Sequence, residues 1–179
     1  MIVYKRLKSQ DITRSLFDGF IRTQKVTKCW RREHGEWVIR DAAFVDDWGE
    51  AEYKELIRCL QNTAETGGLV MGAFFGQRLA GFVSVEQAPL GSRGQYTDLS
   101  SIHVSHDMRG HGIGKKLFSM AADFARENGR EKLYISGHSA VETQAFYRSL
   151  GCVEAKEYDP AHVKREPFDC QLEYDVTAR

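Results

Sequence analysis

Very little in this chain would tie it to a disulfide framework, a metal or a membrane. Four cysteines, Cys29, Cys59, Cys152 and Cys170, are scattered through 179 residues without a Cys-x-x-Cys pair. That spacing argues against a zinc site and against a small stapled fold, and it predicts reduced thiols in a cytoplasmic protein. No apolar run is long enough for a membrane span, and the opening Met-Ile-Val-Tyr-Lys-Arg does not resemble a secretion signal. Charge of one sign is not in excess: 25 Lys and Arg offset 25 Asp and Glu. Neither nucleic acid nor an anionic membrane is therefore an expected partner. Proline is scarce, and Pro89, Pro160 and Pro167 fall in segments that read as loops. Repeats and low-complexity stretches are also missing. The remaining composition, 42% hydrophobic and 28% charged, suits one domain over residues 1–179 with a genuine core.

Glycine, in contrast, is concentrated where it says something. Arg109-Gly110-His111-Gly112-Ile113-Gly114 follows Leu99-Ser-Ser-Ile-His-Val104, whose branched residues suit a strand. Leu117, Met120, Ala121 and Phe124 then recur at helical spacing, and Gly129 offers a stop. A glycine-rich turn from strand to helix exposes backbone N–H groups at the positive end of a helix dipole, where phosphate binds well. The turn is not a P-loop, because Arg stands at 109 and Lys115 is followed by Lys116 rather than Ser or Thr. Nor does Gly110-x-Gly112-x-Gly114 have the dinucleotide-binding spacing.

The loop does fit Arg/Gln-x-x-Gly-x-Gly/Ala, through Arg109, Gly112 and Gly114. On this motif, within Ile102 to Phe118, the sequence resembles the GNAT superfamily of acyl-CoA-dependent N-acetyltransferases. A second motif, Ala145-Phe146-Tyr147-Arg-Ser-Leu-Gly151, resembles the family's late helix and lies at the expected distance downstream. The specific likeness runs from about Asp98 to Cys152.

The rest of the chain reads as strands and helices in the order β-α-α-β-β-β-α-β-α-β-β. Ile2 to Leu7 is a strand, and Asp11 to Arg22 a helix with Ile12, Leu16, Phe17 and Phe20 on one side. Residues 25–45 read as irregular, with a short strand at Trp37-Val-Ile39. Trp48 to Thr66 is a helix, and Asp47 with Glu50 forms a candidate capping box for it. Leu69–Phe75 and Leu79–Val85 form a hairpin, and Gln87 to Gln95 a loop. Lys132 to Ser136 is a strand, Ser139 to Leu150 a helix, and two further strands are Cys152 to Tyr158 and Asp169 to Asp175. This order predicts an α/β fold with a mixed sheet. The resemblance implies a GNAT-like, mostly antiparallel sheet of six to seven strands flanked by helices.

What the resemblance implies about chemistry is specific. Acetyl-CoA would be the co-substrate, with no metal. Backbone groups of Ile102 and Val104 would pair with the pantetheine arm. The amides across Arg109, Gly110, His111, Gly112, Ile113, Gly114 and Lys115 would hold the pyrophosphate, with Lys115 and Lys116 screening its charge. Tyr147 matches the tyrosine that protonates the departing thiolate; otherwise it is a core aromatic. Asp98 falls where some relatives place a catalytic carboxylate; otherwise it is a solvated residue at the start of a strand. His103 and Glu142 are weaker candidates for the base. The relatives' coenzyme-contacting Asn near the start of the late helix is replaced by Ala140, so that contact is lost or passes to Ser139.

For the acceptor, Trp30, Trp37, Asp46, Asp47, Trp48, Glu50 and Tyr53 offer carboxylates and aromatics that suit a cationic amine. For Asp47 and Glu50 the helix cap is the preferred reading, and the tryptophans also read as core. The expected acceptor is a small-molecule amine such as an antibiotic or a polyamine, and a homodimer is compatible with this reading. The alternatives are a protein or peptide amine as acceptor, or an acyl-CoA-binding sensor without turnover.

Overall fold

The computed structural model describes residues 1–178. A seven-stranded sheet is formed by β1 (Ile2–Arg6), β4 (Leu69–Phe75), β5 (Arg78–Leu90), β6 (Tyr96–Val104), β7 (Lys132–Gly137), β8 (Val153–Glu154) and β9 (Cys170–Asp175). Its order is β1-β4-β5-β6-β7-β9-β8, and only the β6–β7 pair is parallel. Four α-helices accompany it: α1 (Glu50–Glu65), α2 (Ile113–Glu127), α3 (Val141–Ser149) and α4 (Pro160–Arg165). The mixed, mostly antiparallel sheet with flanking helices is the expected architecture. Among the described residues, no helix is long and apolar enough to cross a membrane.

Alternation along the strands divides the core in two. Leu99, Leu133, Ile135 and Leu172 face α2, whose Ile113, Leu117, Phe118 and Ala121 are buried against them. Each such large side chain, fully removed from water, contributes about 1.5–3 kcal/mol. On the opposite face Val70 and Phe82 meet Tyr53 and Leu60 of α1, together with Phe17 and Phe20. Both faces of the central strands are covered, so these strands are apolar throughout rather than alternating.

The segment 11–47 departs from expectation. Instead of one helix over 11–22, the chain makes two 3-10 turns, Ser9–Asp11 and Arg14–Phe17. Ile12, Phe17 and Phe20 still reach the core. Thr13 and Asp18 are extended and Gly19 is left-handed at φ 76°, which breaks a continuous helix. The hydroxyls of Thr13 and Ser15 bond one another at 2.9 Å, competing with the helical ladder. Residues expected to be irregular apart from a short strand at Trp37–Ile39 form a long antiparallel hairpin, β2 (Thr23–Glu33) and β3 (Glu36–Asp47), separate from the main sheet; the expected strand lies within β3. Its turn is His34-Gly35, with both φ positive at 50° and 84°, as a two-residue hairpin turn with the right twist requires. β3 runs on to Asp47, so the cap of α1 is Gly49, whose amide donates to the Glu52 carboxylate at 2.8 Å. Asp47 and Glu50 do not form that cap. β5 continues through much of the expected 87–95 loop, pairing Pro89 with Thr97 and Leu90 with Tyr96.

Candidate active site

β6 and β7 pair only through Tyr96–Lys132, Thr97–Leu133 and Asp98–Tyr134. Beyond Asp98 they part, while β6 continues against β5 to Val104. The Ser105 amide donates to the Ala80 carbonyl at 2.8 Å, which sets the phase of the ladder. Backbone groups alternate sides along an antiparallel strand. Those of Ser105 and His103 therefore face β5, and those of Ile102 and Val104 face the opening. Among the described residues no strand pairs with β6 on that side beyond Asp98, so these backbone groups line one wall of a wedge-shaped gap.

The gap leads to the glycine turn. Gly110 and Gly112 adopt φ 79° and 77°, a conformation costly for other residues, and a Cβ at either would meet open space. Gly114 does a different job: a Cβ there would come within 3.2 Å of the Phe146 ring of α3. The amides of Gly110 to Lys115 have no backbone acceptor among the described residues, and the first bond of α2 is Lys116 to Gly112 at 3.1 Å. These free amides and the helix dipole suit a phosphate. Lys115 and Lys116 are exposed beside them. The Arg109 guanidinium reaches away to the Thr23 carbonyl at 3.0 Å, and the His111 ring folds back onto the Arg109 carbonyl at 2.9 Å.

Tyr147 lies buried on the other side of the gap, with its ring against Gly137 at the end of β7; a Cβ on that glycine would stand 3.0 Å from the ring. Burial, reinforced by Cys152, Asp169 and Asp98, raises its pKa well above the ordinary value, so the phenol keeps its proton. Glu142 is an exposed first-turn residue of α3. Ser139 is buried and engaged by the hairpin: its carbonyl accepts from the Trp30 amide at 2.8 Å, and its hydroxyl from Arg31 at 2.7 Å.

Asp98 is not solvated. It is 8% exposed, and its Oδ2 faces His162 Nε2 of α4 at 2.9 Å. His162 Nδ1 in turn faces Asp159 Oδ2 at 2.5 Å. The hydrogen bond to Asp98 outweighs burial and raises the His162 pKa. Burial pushes Asp159 upward, but its bonds from His162 bring it below its usual value. His103 is the reverse case. Its ring packs on Trp48 at 4.6 Å and Phe82 at 5.4 Å. Burial, with the charges of Arg22 and Arg109, pushes its pKa down to about 3. The imidazole is therefore held neutral among these rings.

The sequence profile of the Acetyltransferase (GNAT) family matches residues 30–152. The chain belongs to the GNAT acetyltransferase family. As a member it is an acyl-CoA-dependent N-acetyltransferase. The fold is similar to that of a nourseothricin acetyltransferase, at 18% identity and TM-score 0.67, covering 96% of this chain and 95% of the other. It is also similar to a Bacillus anthracis protein, provisionally named a streptothricin acetyltransferase and solved with acetyl coenzyme A, at 18% identity, TM-score 0.65 and coverage of 97% and 96%. The PaiA N-acetyltransferase of Thermoplasma acidophilum, solved with coenzyme A, matches at 15% identity, TM-score 0.60 and coverage of 98% and 99%. No curated protein matches the chain.

The residues expected to receive the acceptor are divided in this acetyltransferase. Asp47, Trp48 and Tyr53 line a cleft of about 500 Å³ beside the two 3-10 turns. Asp46 is paired with Arg22 at 2.7 Å and Glu50 with Arg14 at 2.7 Å. Arg14 covers the Tyr53 ring at 4.4 Å and Arg22 the Trp48 ring at 4.9 Å, so these aromatic faces already hold cations. Trp30 lies under Arg148 and Trp37 donates to Glu154, both in the hairpin. His162 was invisible to sequence reasoning. Asp159-Pro160, a cap residue before a first-turn proline, is the signal that could have located its helix.

Proposed function

We propose that the chain transfers an acetyl group from acetyl-CoA to an amine of a small molecule, by direct attack within a ternary complex. The observation that carries this reading is the gap itself. The backbone of Ile102 and Val104 would hold the pantetheine arm, and the amides from Arg109 to Lys115 the pyrophosphate. The residues fit the group, because the left-handed glycines leave open space before the unpartnered amides of α2. The thioester supplies an activated acetyl group. The chain's own residues position it and move protons. Asp98 receives a proton from the acceptor ammonium, and Tyr147, kept protonated by burial, gives one to the departing sulfur. The names of structural neighbours, a nourseothricin and an aminoglycoside 6'-N-acetyltransferase, support a small cationic acceptor such as an antibiotic or polyamine.

The test is thiol release from acetyl-CoA with a panel of antibiotics, polyamines and peptides. Release that depends on one small-amine class, and that falls about 100-fold in Tyr147→Phe with coenzyme binding unchanged, is the expected result. Release with peptides alone would reassign the acceptor. Coenzyme binding without release would make the domain a sensor.

A further inference from the structure

The arrangement around His162 imposes a protonation state. Both ring nitrogens face carboxylate oxygens, Asp98 Oδ2 at 2.9 Å and Asp159 Oδ2 at 2.5 Å. Ionised carboxylates only accept hydrogen bonds, and a neutral imidazole has a single N–H. With one proton, one of the two contacts would set a lone pair against a negative oxygen. Both contacts are satisfied when His162 is an imidazolium. The trio then carries two negative charges and one positive, in a region where Asp98 and His162 are both largely buried.

This leaves one atom unexplained. Asp98 Oδ1 is buried and, among the described residues, has no hydrogen-bond partner. A buried polar atom without a partner is costly, and native structures keep few of them. Asp98 is also the last residue of β6 to pair with β7, at the apex where the gap opens. We propose that His162, clamped between Asp98 and Asp159, is a positioning residue that orients Asp98 and offsets its charge, leaving Oδ1 as the single site that takes the acceptor's proton. This rests on the transferase reading above and names a residue that reading does not use.

The step balances. The acceptor ammonium gives one proton to Asp98 Oδ1, which holds it until the product has left. The nitrogen forms its bond to the acetyl carbon as the carbon–sulfur bond breaks. The second nitrogen proton replaces the one that Tyr147 donates to the sulfur. The imidazolium offsets the carboxylate's charge in this buried setting, where an unpaired charge is costly. The other groups facing the trio are few. The Tyr134 ring of β7 lies 5.2 Å from the imidazole, and its hydroxyl accepts from the Asp159 amide at 2.9 Å. Arg165, later in α4, opposes the imidazolium charge. Tyr147 of α3 lies within the field of Asp98.

The experiment is kcat/KM against pH for the wild type, His162→Gln and Asp159→Asn, with coenzyme affinity measured in parallel. The acid limb should move upward by about one pH unit in both variants, with kcat/KM at pH 7 falling at least tenfold and coenzyme affinity unchanged. A uniform loss at every pH, with the limb in place, would overturn the proposal and leave His162 a packing residue. Nitrogen NMR of the histidines gives a second readout that needs no turnover and no variant to fold. His162 should be doubly protonated at pH 7.5, and a neutral tautomer there would overturn the proposal outright. If no amine elicits thiol release while His162 is an imidazolium, the transferase reading fails and the clamp stands.

Discussion

At the scale of single residues, two histidines with opposite environments give the molecule opposite responses to pH. His103, between Trp48 and Phe82, has its pKa pushed down to about 3. In the unfolded chain an imidazole titrates near 6.5. The unfolded state therefore takes up the proton first, and stability present above pH 6.5 is lost as the pH falls toward 3. His162 has its pKa raised, so its contribution is full below pH 6.5 and is lost as the pH rises through the folded value. Urea unfolding of His103→Gln and the wild type at pH 7, 6 and 5 separates the two. The variant should lose less stability on acidification than the wild type, and parallel curves would contradict the burial argument. Neither environment is written in the local sequence. His103 alternates with Ile102 and Val104 as expected, but its meeting with Trp48 depends on a hairpin that the local sequence did not disclose.

At the scale of elements, the hairpin of β2 and β3 links the two sides of the gap. Thr23 at its start accepts from Arg109 beyond β6, and Cys29 and Trp30 meet Ala140 and Ser139 beyond β7. Arg31 adds a bond to the Ser139 hydroxyl at 2.7 Å and covers Phe168 at 4.5 Å. An element that lies outside the main sheet is a natural place for local opening. Arg31→Ala should speed limited proteolysis at the 34–35 turn. It should also raise the acceptor KM by roughly 3- to 10-fold, corresponding to about 1 kcal/mol for one lost bond, with coenzyme affinity unchanged. A change confined to coenzyme affinity would place the hairpin on the other substrate's side. The hairpin was unreadable by alternation because charged residues fill both of its faces, as in Lys25, Lys28, Arg31 and Arg32. The short strand read at Trp37-Val-Ile39 is the part of it that the sequence disclosed.

At the scale of the whole molecule, the main sheet joins the first strand of the fold to the last. β1 pairs with β4, and β9 lies between β7 and β8, so both chain ends are woven into one seven-stranded layer. We propose that the chain unfolds as one unit. Calorimetry should show a single transition, moved upward by coenzyme A. At one hundred times its dissociation constant the ligand contributes about 2.7 kcal/mol, or roughly 5–10 °C for a domain of this size. Two transitions would divide the domain, and an unmoved transition would remove the coenzyme site.

The sequence by itself determined what depends on near neighbours along the chain. The turn from β6 into α2 needs left-handed glycines at 110 and 112, and the run from Leu117 to Phe124 needs a helix to bury one face. The glycine loop could be named from its consecutive residues, and the resemblance carried by that loop and by Ala145 to Gly151 implied Asp98 and Tyr147. Tertiary structure alone decided what joins distant segments. His162 reaches Asp98 across 64 residues, and Arg14 and Arg22 take up the carboxylates and ring faces that composition had assigned to an acceptor. The reason is physical. Backbone conformation and periodic burial are set locally, but the charge state and partners of a side chain are set by whatever the folded chain brings within a few ångströms of it.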